Sequence, residues 1–94
     1  VINAVLCGLP GHESSRRIMT PFREACWSLD VEPEFVDVTS YDSRGDGVEV
    51  VPTIRVYSDD DPYGDVLAEH QGVATAGEIT ALLNRGLPLS DPLG

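Results

Sequence analysis

The side chains that could do chemistry gather in a few places. Cys7 closes an apolar run, and His12-Glu13-Ser14-Ser15-Arg16-Arg17 follow a turn directly after it. His12 with Glu13 supplies a base and a carboxylate, yet neighbours in a loop seldom face one another, so general base catalysis is not the expectation. Ser14, Ser15, Arg16 and Arg17 at a helix start would favour an anion through free N–H groups and guanidiniums, but ordinary capping and solvated arginines account for them equally. Asp59-x-Asp61-x-Tyr63-Gly64 begins like a calcium loop, lacks a suitable oxygen at the fifth place and has His70 where a bidentate glutamate is needed. It reads as a polar hairpin turn, and no metal or other cofactor is expected. Arg44-Gly45-Asp46 matches a cell-adhesion tripeptide, but so short a string in a turn-rich loop arises easily by chance. The two thiols, Cys7 and Cys26, lack a staple-like or metal-like spacing and read as buried or isolated groups.

These residues need a scaffold, and 94 residues with a 41% hydrophobic fraction allow one domain with one core. No apolar run is long enough to span a bilayer, and Val1 to Cys7 has no basic leader or cleavage pattern, so an intracellular, cytoplasmic protein is expected. Sixteen carboxylates against six arginines leave a formal charge of −10, a field that repels nucleic-acid phosphate. No nucleic acid or membrane is therefore expected as a partner.

Val1-Ile2-Asn3-Ala4-Val5-Leu6-Cys7 reads as a central strand covered on both faces, and Gly8-Leu9-Pro10-Gly11 breaks it. Ile18, Phe22, Ala25, Cys26 and Leu29 then recur at helical spacing. Local rules favour a helix beginning at Thr20-Pro21, because proline inside a helix costs about 3 kcal/mol. Glu34–Thr39 is a second strand, parallel to the first by a right-handed crossover, and residues 40–47 are turn formers. Val48-Glu49-Val50-Val51-Pro52 leads into a third strand at Thr53–Tyr57, with a hairpin to a fourth at Val66–Gln71. Thr75-Ala76-Gly77-Glu78 is a capping box for a last helix buried through Ile79, Leu82 and Leu83; Gly86 is expected to stop it. The domain is thus 1–86, with 87–94 a flexible tail.

The order β-α-β-β-β-α, with Val51-Pro52-Thr53 opening the third strand and Gly72 closing the fourth, resembles the thioredoxin and glutaredoxin superfamily over about 85 residues. The resemblance implies an α/β fold with a four-stranded mixed sheet flanked by helices, a cis Val51–Pro52 bond facing the first helix, and a longer first helix from about Ser14 kinked at Pro21. It places a further helix where residues 40–47 leave room only for a short one or none. It also implies a Cys-x-x-Cys pair at the first helix's N-terminus, where the dipole and N–H groups stabilise a thiolate. Matching Leu9-Pro10-Gly11 to the glutaredoxin Lys-Pro-Gly puts the pair at His12 and Ser15; matching Pro21 to the thioredoxin helix proline puts it at Glu13 and Arg16. Neither register holds a thiol. The expectation is a thioredoxin-like binding module without dithiol chemistry, holding a peptide with His12, Glu13, Ser14, Ser15, Arg16, Val51 and Pro52. The alternative is an atypical glutaredoxin-like exchange through Cys7.

Overall fold

The apolar run at the start of the chain forms β1, Ile2–Gly8, the most buried strand of a computed structural model that describes residues 2–90. It is followed by α1 (Glu13–Ser28), β2 (Pro33–Asp37), a 3-10 turn (Ser43–Gly45), β3 (Thr53–Ser58), β4 (Ala68–Gln71) and α2 (Ala76–Ser90). The sheet order is β2-β1-β3-β4, with β1 and β2 parallel and the other two pairs antiparallel. This is the expected mixed sheet with its parallel crossover.

Strand alternation divides the core into two layers. Ile2, Ala4 and Leu6 of β1 and Ile54 and Val56 of β3 join Ile18, Phe22, Ala25 and Cys26 of α1 and Ile79, Leu82 and Leu83 of α2 in one cluster. Val5, Cys7, Val36 and Tyr57 point the other way, into a smaller cluster closed by Val38 and Val48. The sheet is flanked by helices as expected, both of them on the same face, and the 38–50 segment with its single 3-10 turn covers the opposite one. Cys7 and Cys26 are both free and buried, in different layers.

Element ends differ from the sequence reading for local reasons. α1 takes the longer course, starting at Glu13 and carrying Pro21 inside it. β2 stops at Asp37 instead of Thr39 because the Asp37 carboxylate accepts from both the N–H and the hydroxyl of Thr39 (2.8 and 2.7 Å), and Ser40 N–H donates to the Asp37 carbonyl. β4 begins at Ala68 instead of Val66: the Asp59–Gly64 turn is stitched by Asp61 N–H to Ser58 O and Gly64 N–H to Asp61 O, and Val66 stays exposed. Val1 lies outside the described residues.

The capping box at α2 forms as written in the sequence, with Glu78 N–H donating to Thr75 Oγ1 at 3.2 Å and Thr75 N–H donating to Glu78 Oε1 at 3.1 Å. Gly86, expected to end the helix, lies within it. A Cβ at this position would sit 2.5 Å from Val56 Cγ1 and 3.3 Å from Val56 Cβ, so the glycine is the notch that lets α2 settle on β3. The expected tail at 87–94 falls partly on α2, which reaches Ser90, and otherwise outside the described residues. Gly86→Ala tests the notch. Alanine gains about 1 kcal/mol in helix propensity, but forcing it against a buried β-branched residue costs about 1–3 kcal/mol. A lower urea midpoint is expected; a higher one would show that the notch has room to spare.

Candidate functional site

Pairing register brings the candidate residues to one end of the sheet. Thr53 lies beside Cys7 on one side and Gln71 on the other, so the next residues of each strand, Gly8, Pro52 and Gly72, continue in line. Gly72 N–H donates to the Pro52 carbonyl at 2.7 Å, and the Thr53 hydroxyl donates to the Val50 carbonyl at 2.5 Å, fixing the segment between them. The Val51–Pro52 bond is cis, as the resemblance implies. Pro52 has a buried side chain, Val51 is half-buried, and Val50 and Val73 are exposed. Among the described residues, neither the N–H nor the C=O of Val51 makes a backbone hydrogen bond.

α1 begins at the same end. His12 is its N-cap, with Nδ1 2.8 Å from Ser14 Oγ, and its carbonyl accepts from Arg16 N–H at 3.1 Å. Among the described residues the amides of Glu13, Ser14 and Ser15 have no hydrogen-bond partner, as is usual for the donors of a first helical turn. Glu13 and Arg17 pair at 2.9 Å with both side chains 76% exposed, a contact worth little. Ser15 turns inward: it is 1% exposed and its Oγ accepts from Leu9 N–H at 3.2 Å. Gly8 makes this approach possible, since a Cβ there would lie 2.5 Å from Ser15 Oγ. The expected site residues are thus unequal. His12, Glu13 and Arg16 are exposed and Ser14 is half-buried, while Ser15 fastens the helix to the end of β1.

Two hollows border this helix start. An open one of about 530 Å³ is lined by Gly11, Glu13, Arg16 and Arg17, and a more apolar one of about 190 Å³ by Pro10, Ser15, Arg16, Met19 and Phe35. Neither is lined by Val51 or Pro52.

Cys7 belongs to the opposite layer. Its thiol donates to the Arg44 carbonyl at 3.4 Å, and burial pushes its pKa up to about 11 against the pull of Arg55 and Arg44. Pointing away from α1, it gains nothing from the helix N-terminus. Cys26 is pushed up to about 12, again by burial first.

Sequence reasoning missed the polar cluster around Cys7. The Arg44 carbonyl also accepts from Arg55 Nη1 at 3.0 Å and from the Tyr57 hydroxyl at 3.2 Å. The Arg44 side chain pairs with Asp42 at 2.7 Å and Glu34 at 3.0 Å, and its guanidinium stacks 4.9 Å from the Tyr63 ring centroid. Arg55 pairs with its cross-strand neighbour Glu69 at 2.8 Å and donates to the Asp46 carbonyl at 2.6 Å. The Arg-Gly-Asp string is therefore a structural clamp holding the 38–50 segment on the sheet, its arginine turned inward. The usable sequence signal was Arg55 itself, a cation between apolar residues in a central strand, which requires a buried partner.

A mixed β2-β1-β3-β4 sheet, a helix starting at the end of β1 and a cis-proline opening β3 beside it define the thioredoxin-like fold. No family model matches the sequence, and no curated protein does. Solved structures do: thioredoxin-2 of the malaria parasite, described as a component of its protein secretion machinery, aligns at a TM-score of 0.71 and 15% identity, over 90% of this chain and 82% of that one. Chloroplastic thioredoxin z aligns at 0.71 and 15% identity, over 94% and 80%. The oxidised thioredoxin of Plasmodium falciparum aligns at 0.63 and 16% identity, over 96% and 82%. At such identities the likeness is one of fold.

Proposed function

We propose that this chain is a binding module on a thioredoxin-like fold, without dithiol chemistry, that takes an extended protein segment at the sheet end beside Pro52. The observation that carries the reading is Val51, whose free backbone N–H and C=O lie between exposed Val50 and Val73. An extended chain can pair with such a peptide unit and rest apolar side chains on the flanking valines. The sequence has two cysteines, neither within residues 8–16. Exchange through Cys7 would need a thiol that is buried, raised to about 11 and turned away from α1. A net charge of −10 supports a protein partner over a nucleic acid.

The test titrates isotope-labelled protein with carbamidomethylated insulin B chain as an extended probe. Amide shifts centred on Val50, Val51, Gly72 and Val73 are expected, and Val73→Arg should weaken binding about tenfold, as for removal of one apolar anchor. In the dithiothreitol-driven insulin assay, wild type and Cys7→Ser should both stay at background. Turnover by wild type that disappears in Cys7→Ser would replace the module with an enzyme.

A further inference from the structure

We propose that the hollow between α1 and the outer edge of β2 is a second docking surface, fitted to an extended partner segment that carries one bulky apolar side chain beside one carboxylate. It goes beyond the Pro52 end. The cavity of about 190 Å³ has Pro10, Met19 and Phe35 as its apolar lining, with Ser15 and Arg16 completing it. Small-molecule sites run from about 300 to 1,000 Å³, so this one suits a single side chain better than a metabolite.

The backbone beside it is free to hold the rest of a segment. Among the described residues β2 has β1 as its one strand neighbour, and no strand pairs with its outer edge. Val38 N–H donates to Gly8 O across the β1–β2 pair, and alternation from Val38 turns the N–H and C=O of Phe35 outward. Phe35 thus presents its ring to the cavity and its backbone to the edge, the arrangement that strand addition uses.

Charge selects the occupant. Arg17, Arg44 and Arg55 each have a carboxylate partner, whereas Arg16 forms no ion pair among the described residues. Exposed on the cavity rim, its guanidinium can take a carboxylate side by side through two N–H donors. One carboxylate fits where an acidic run would not, because the chain's charge of −10 repels a polyanion.

The test selects a random heptapeptide library displayed on phage against the immobilised protein, then measures enriched peptides, made synthetically, by calorimetry. Enrichment of a carboxylate next to a bulky apolar residue is expected. Arg16→Glu should weaken these peptides about tenfold, the loss of one charge-assisted pair, and Met19→Ala should weaken them with Arg16 intact. Val73→Arg should leave them unchanged, so this surface and the Pro52 end stand or fall separately. Circular dichroism confirms that the variants fold. Failure to enrich such a pattern, or binding lost in Val73→Arg and kept in Arg16→Glu, would overturn the proposal.

Discussion

The double variant His12→Cys/Ser15→Cys is expected to reduce insulin with dithiothreitol well above the background at which the natural sequence stays. His12 is the N-cap of α1, followed by three unpaired amides, and an N-cap side chain is the one those amides reach. A thiol there has its thiolate stabilised by N–H donors and the helix dipole, which lowers its pKa by about one unit or more and raises the attacking fraction at neutral pH about tenfold. Residues three apart across a first helical turn lie within disulfide reach, so the second thiol can resolve the mixed disulfide. Glu13→Cys/Arg16→Cys, the other register, should be the slower pair, because its first thiol lies inside the helix instead of at the cap. A folded His12→Cys/Ser15→Cys protein with background turnover would mean that more than the two side chains separates this scaffold from an active one.

Arg44→Ala should cost about 2–4 kcal/mol, the range for stranding the partners of a largely buried ion pair and losing charged hydrogen bonds. The lower end is favoured because the partner side chains of Asp42 and Glu34 are 24% and 38% exposed, against 10% for Arg44. A domain of this length is stable by about 5–15 kcal/mol, so the loss is a large share of the whole. The 38–50 segment should loosen first, since Arg44 ties it to β2 through Glu34 and to the β3–β4 turn through Tyr63. Under native conditions Cys7 should alkylate much faster in the variant and Cys26 at a nearly unchanged rate; equal acceleration of both would count against a local clamp.

The same clamp gives an acid limb. The Arg44 side-chain hydrogen bond holds the Asp42 carboxyl below its ordinary 3.8. At Glu69 burial is the largest single effect and pushes the carboxyl up, but the hydrogen bonds from Arg55 and Gln71 and the charge of Arg55 together outweigh it and lower the group from 4.5. A carboxyl depressed in the folded state contributes fully above its unfolded value, and the contribution is lost as pH falls through the folded one. The urea midpoint of the natural sequence should therefore drop below about pH 4, and less steeply in Arg44→Ala.

What could be read in advance was what neighbouring residues decide among themselves. Alternating apolar strands, the Thr75/Glu78 box, the turn formers at 40–47 and the proline opening β3 each carry their meaning within a few positions. Gly86 shows the limit. A glycine after a helical stripe and before Pro88 satisfies every local rule for a stop, and only Val56, 30 positions earlier in the numbering, says that it is a notch. The Cys7–Arg44–Arg55–Tyr57 cluster was hidden for the same reason, since Cys7 and the Arg44 carbonyl are 37 positions apart. Ser15 looked like a site residue because helix-start serines often face a ligand. Its inward turn depends on the missing Cβ of Gly8, seven positions earlier at the end of β1, and on how the loop between them folds back.

Trp27 is the chain's single tryptophan, and it stands 63% exposed on the far part of α1. Its indole already meets water in the native state, so its emission maximum has little room to move when the protein unfolds. Intrinsic fluorescence would report a nearly flat denaturation curve for a fully cooperative transition. Far-ultraviolet ellipticity, which follows the helical layer directly, is the signal on which comparisons among these variants should rest.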